Sequence, residues 1–218
     1  MSSTIDSSLA PLTPSFSPTT PHPESSTTQS ILQHLNLQPH PEGGYFVETD
    51  RDPLRVPNTF APNPSSKSVE TRSASTTIFY YLTPTSPLGH FHRNKARTVH
   101  TLHKGRGRYV LIHADEVKGG YDEWTNLAGK ARVETFVVGQ DVQAGERLQW
   151  VVEGGKYKAS FLLPDEKDGE SSDGLLISET VVPGFEFEDH DFLEQERFET
   201  LVTPEQAKEM EWMVRKGE

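Results

Sequence analysis

Beyond Ser75 the chain alternates short β-branched and aromatic runs with glycine-marked turns, and this punctuation limits its fold more than any other feature. The first run is Thr76-Thr77-Ile78-Phe79-Tyr80-Tyr81-Leu82. Strand-like stretches follow at 89–93, 97–103, 107–114, 132–138, 147–152, 157–163 and 174–182. Gly105, Gly119-Gly120, Gly129, Gly145 and Gly154-Gly155 separate them. No stretch alternates strands with long helical patterns, so a parallel, helix-flanked sheet is excluded. The expectation is an all-β chain closed as a sandwich or barrel.

The two ends read differently. Residues 1–29 are dominated by Ser, Thr and Pro, a composition that buries too little apolar surface to offset its ordering entropy, so a disordered tail is expected there. A short helix is expected from Ser30, which is able to cap it. Pro39 to Thr49 reads as a rigid turn leading into a strand, and 52–71 as a long surface loop. The main domain is therefore placed at 30–199. A terminal segment, 200–218, carries a helix over 204–215, where Thr203 caps, Pro204 opens the first turn and Gln206 completes a capping box.

Composition removes several function classes. A net charge of -11 argues against nucleic acid as a partner. The absence of cysteine rules out disulfides, thiolate metal sites and thiol nucleophiles. No apolar run approaches the roughly 20 residues of a bilayer span, and the N-terminus has no apolar signal core. Cytoplasmic localisation, with no membrane partner, is the expectation.

The chemistry concentrates in Gly89 to Gly105, which holds four of the nine histidines. Alternation along a strand places His90 and His92 on one face, and His100 faces with Thr98 and Leu102 on the next strand. If both strands line one pocket, His90, His92 and His100 converge. That is a facial imidazole set suited to a divalent ion such as Fe, Ni, Mn or Zn; the alternative is a polar barrel wall without metal. Gln149 can present an amide to a ligand, and Lys158 faces either pocket or solvent. The aromatic and acidic residues of 181–192 read as a strand or turn with its acids in water.

Several segments, in order, resemble one family. Pro39-His40-Pro41-Glu42-Gly43-Gly44-Tyr45-Phe46, the run 76–82, Phe91-His92-Arg93, Gln149 to Ala159, and Pro183-Gly184-Phe185-Glu186-Phe187-Glu188-Asp189 are similar to an uncharacterised branch of the RmlC-like cupins, over residues 31–195. The resemblance implies a jelly-roll barrel, commonly a homodimer, with a pocket for a small molecule. The chain departs from the family at Thr98, where a carboxylate ligand is usual, and at Lys158, which takes the place of a ligand histidine.

The expected function is that of a small-molecule-binding enzyme acting on a small polar metabolite in the barrel, with a non-catalytic ligand-binding or storage-type dimer as the alternative. His92, His100 and Tyr80 are the candidate catalytic groups. Glu42, Tyr45, Arg72, Gln149 and Lys158 are candidate substrate contacts, and His90, His92 and His100 candidate metal ligands. Isomerase- or epimerase-like proton transfer, metal-dependent oxygenase or lyase chemistry, and non-catalytic ligand binding or storage all remain open at this level.

Overall fold

The computed structural model describes residues 11–20, 22–60, 71–117, 130–167 and 169–216. Tail residues 1–10, loop residues 61–70 and the turn signals at Gly119-Gly120 and Gly129 lie outside the described residues.

The first helix, α1 (Ser26–His34), is followed by β1 (Gln38–Pro39), β2 (Tyr45–Arg51), β3 (Arg55–Pro57), β4 (Thr71–Ser73), β5 (Thr76–Leu82) and β6 (Leu88–Asn94). Next come β7 (Arg97–Lys104), β8 (Gly107–Ile112), β9 (Val133–Val138), β10 (Gln149–Val152), β11 (Tyr157–Leu162), β12 (Leu175–Val182) and β13 (His190–Phe192). Two helices, α2 (Gln195–Leu201) and α3 (Pro204–Met210), close the chain. The strands form a six-stranded sheet, β1-β2-β5-β12-β7-β10, and a five-stranded sheet, β13-β6-β11-β8-β9, antiparallel throughout. This is the all-β jelly roll expected from the strand punctuation and the resemblance. No helix among the described residues is long and apolar enough to cross a membrane.

The five-stranded sheet is buried on both faces. Along β11 every residue is buried, although the strand includes Lys158 and Ser160. Tyr157, Ala159 and Phe161 look outward, onto Phe198, Leu201, Met210 and Met213 of the C-terminal segment. Leu162 looks inward, with Tyr109, Leu111, Leu102, Ile177, Tyr80 and Trp150 filling the space between the sheets. Each large apolar side chain so buried contributes about 1.5–3 kcal/mol. The C-terminal segment is thus the outer cover of the sheet that carries the site. The expected helix over 204–215 ends as an α-helix at Met210 and tightens to a 3-10 turn over Glu211–Met213.

Several elements depart from the sequence reading. Helix α1 starts at Ser26 rather than Ser30, because Ser25 caps it and is held in turn by Asp173, 2.7 Å away. Upstream, Leu12 and Phe16 are buried, and the Leu12 carbonyl accepts from the Trp212 indole at 3.0 Å. Two apolar residues among many prolines therefore bring the described part of this segment onto the barrel. The loop region contains the β3–β4 pair, and β13 with α2 fills the stretch after Asp189.

Candidate functional site

The turn His40-Pro41-Glu42-Gly43-Gly44 enters the barrel mouth because two glycines permit it. Gly43 and Gly44 have φ of 102° and 70°. A Cβ on Gly43 would lie 2.0 Å from the Leu88 carbonyl oxygen, so the turn can press against β6 only without a side chain there. The Tyr80 hydroxyl donates to the Gly43 carbonyl at 2.8 Å, and the His90 amide to that of Glu42 at 2.7 Å. Glu42 is thereby fixed with its carboxylate inside the barrel, buried.

Three side chains meet there. His92 Nε2 lies 3.1 Å from Glu42 Oε2, and His190 Nε2 lies 2.8 Å from Glu42 Oε1. The two imidazoles are stacked, with ring centres 5.3 Å apart. Among the described residues, this is the one group of three such donor atoms mutually within 4.8 Å. The three residues come from three separate places: the glycine turn, β6 and the start of β13.

The hydrogen bonding of this group leaves a conflict. His92 Nδ1 lies 2.8 Å from the His90 carbonyl oxygen. A carbonyl only accepts, so the proton belongs on Nδ1. Burial pushes His92 down to about 3, with Glu42 opposing only in part, so the ring is neutral at pH 7. Burial would raise Glu42, but His92, His40 and the hydrogen bond from His190 prevail and hold it at about 2. A bare imidazole lone pair then faces a carboxylate lone pair across 3.1 Å. Two acceptors that close repel unless a cation lies between them. The spacing suits one: ligands about 2.1 Å from a metal and at right angles are about 3 Å apart. The His90 carbonyl behind His92 is the outer support that fixes a ligating ring.

A second cluster faces the first across the barrel. Lys158 Nζ lies 2.6 Å from Glu179 Oε2 and 3.1 Å from His100 Nε2. His100 is fully enclosed and stacks on Trp150, ring centres 5.1 Å apart. Burial lowers its pKa against the pull of Glu179. Glu179 is held well below the usual carboxylate range, because Lys158 and His100 outweigh its burial. Glu42, Tyr80, His92, Lys158 and Glu179 line one narrow hollow without room for a free water-sized sphere. A wider groove of about 1350 Å³ lies outside the barrel near Arg106 and Glu146, and none of the sequence-predicted site residues lines it.

The structure sorts those residues. His92, Tyr80, Glu42 and Lys158 line the hollow, and His100 reaches it through Lys158. His90, His92 and His100 do not form one cluster. In the β6–β11 pair Gly89 opposes Ser160 and His92 opposes Lys158, so His90 and Phe91 together face Ala159. This bulge breaks the alternation and separates His90 from the face of His92; its Nδ1 lies 3.0 Å from the Glu42 carbonyl instead. Gln149 is exposed, because Trp150 takes the inward position. Tyr45 pairs with Tyr81, on the face opposite Tyr80. Arg72 is buried in an ion pair with Asp189, outside the hollow. Burial raises the Tyr80 hydroxyl well above its usual range, and its O–H donates to the Gly43 carbonyl.

Two members of the site were not assigned from sequence. Glu179 had a legible signal: it falls between Ile177 and Val181 on the inward face of β12, where an acid is costly unless paired. His190 closes a segment that reads as solvated acids, and no local pattern marks it.

The comparisons agree with this architecture. A family model described as Cupin superfamily (DUF985) matches residues 29–193. An uncharacterized protein of Saccharomyces cerevisiae is 45% identical over 196 residues, 88% of each chain. The structure of a hypothetical protein from Leishmania major is 28% identical with a TM-score of 0.66, over 86% of this chain and 98% of that one. That of a protein from Shewanella oneidensis has the same fold, with a TM-score of 0.62 at 24% identity, over 87% and 98%.

Proposed function

The chain belongs to the Cupin superfamily (DUF985) family, and from that premise we propose that it is a divalent-metal-dependent enzyme acting on a small polar metabolite inside the barrel. Glu42, His92 and His190 are the ligands. The observation that carries this reading is the contact of His92 Nε2 with Glu42 Oε2 at 3.1 Å, with the ring proton committed to the other nitrogen. An N, N, O donor set is typical of Fe, Mn, Ni or Zn. Glu42 also answers the departure at Thr98: the carboxylate comes from the glycine turn instead of β7.

A bound metal would supply Lewis-acid polarisation of a substrate oxygen. The chain itself does the rest. The enclosing Tyr80 and Tyr109 exclude water, and Lys158 with Glu179 provides a fixed charge pair on the facing wall. Lys158, the residue in place of a ligand histidine, is thus a polar partner of the substrate rather than a ligand.

The test is metal analysis of untagged protein, followed by titration of the chelator-stripped chain with manganese, iron(II), nickel and zinc. One ion per chain is expected, with affinity reduced at least tenfold in Glu42→Gln. A wild-type chain that binds none, or a variant that binds equally well, overturns the metal reading. The contact would then hold a shared proton, as an acid–base isomerase would use.

A further inference from the structure

The metal reading makes Lys158 a polar partner of the substrate and leaves open which substrate group it receives. Lys158 is 3% exposed, and its register partner on β6 is His92. An ammonium-bearing chain is therefore rooted one strand away from a metal ligand, with Cβ atoms roughly 5 Å apart. Glu179 and His100 are register partners of each other on β12 and β7, in the opposite sheet. Lys158 thus spans the barrel interior from one sheet to the other.

An ammonium has three N–H groups to give. Those of Lys158 reach Glu179 and His100, and no third acceptor is present among the described residues. The hollow is too narrow to seat a free water-sized sphere, so an incoming molecule must take over a contact already made. The Lys158–Glu179 pair is suited to that: it joins a cation to a carboxylate, which another carboxylate can replace like for like.

Formal charge points the same way. Glu42 and Glu179 bring two negative charges to the hollow and Lys158 one positive. A divalent ion would change the sum from one excess negative to one excess positive charge, and one monoanion would bring it to zero. Enclosed net charge is costly, so a single small anion is the ligand that such a site favours.

We propose that the substrate is a small carboxylic acid with a neighbouring oxygen function, whose carboxylate is received by Lys158 in exchange for Glu179. This rests on Glu42, His92 and His190 being metal ligands.

The experiment titrates the manganese-loaded full chain with glycolate, with pyruvate and with glycolamide, the neutral counterpart of glycolate, by calorimetry and thermal shift. Glycolate or pyruvate is expected to bind, with glycolamide at least tenfold weaker. Lys158→Met combined with Glu179→Gln removes both charges and leaves neither buried alone. With its fold checked by circular dichroism, this double variant should hold manganese within a few-fold and lose at least tenfold in acid affinity. Glu179→Gln alone should bind the acid several-fold more tightly, because the competing carboxylate is gone; a merely structural Glu179 would give equal or weaker binding. No acid binding to the loaded wild type, equal binding of glycolamide, or full retention in the double variant overturns the proposal. If the chain takes up none of manganese, iron(II), nickel and zinc, the metal reading fails, and the proposal that rests on it ends with it; if only another of these ions binds, the titration is run with that ion. If a metal ion binds and the acid does not, the metal reading stands and the proposal alone is overturned.

Discussion

Acid is expected to destabilise the metal-free protein through His92. The folded chain keeps this ring neutral down to about 3, because burial disfavours its charged form. The unfolded chain protonates it near the ordinary value of 6.5. Below that value the unfolded state therefore binds one proton more at this position, and stability falls as pH falls. The contribution is complete above the unfolded value and is lost progressively towards the folded one. From about pH 7 to about pH 4.5 the loss spans two units below 6.5, worth roughly 2–3 kcal/mol from His92 alone. Urea unfolding in the presence of a chelator, at both pH values, measures it. His92→Gln lowers stability at each pH but lacks the titration, so its loss between the two should be smaller by roughly 2–3 kcal/mol. Equal losses in wild type and variant would show that the ring is already charged in the fold, and the lone-pair conflict with Glu42 would vanish with it.

Two further outcomes follow from the backbone. Gly43→Ala puts a methyl group 2.0 Å from the Leu88 carbonyl oxygen at a φ of 102°, so a loss of roughly 1–3 kcal/mol is expected in thermal or urea unfolding, together with weaker metal binding as Glu42 shifts. Thr203→Ala removes one half of the capping box on α3; a loss of about 1 kcal/mol is expected, read as a melting temperature lower by about 2–4 °C with metal affinity unchanged.

The strands were legible because their signals are local. The run 76–82 coincides with β5, and the stretches around 89–93, 97–103 and 157–163 match β6, β7 and β11 to within a residue or so at each end. β-branched and aromatic runs stopped by glycine need no distant partner to be recognised. Trp150 and Gln149 mark where this stops working. Both sit in a strand read correctly, yet which of them faces inward depends on the sheet that covers it.

The site was legible in part for the same reason. The amino-acid sequence alone determined a glycine-punctuated all-β barrel, and it marked His92, Glu42 and Lys158 as polar residues worth attention. Tertiary structure alone decided which imidazoles meet. A bulge at His90 and Phe91 breaks the two-residue period that the sequence implies. Glu42 finds a partner in His190, 148 positions away, only once β13 pairs with β6. Register between strands is set by packing across the whole barrel, and no local pattern carries it.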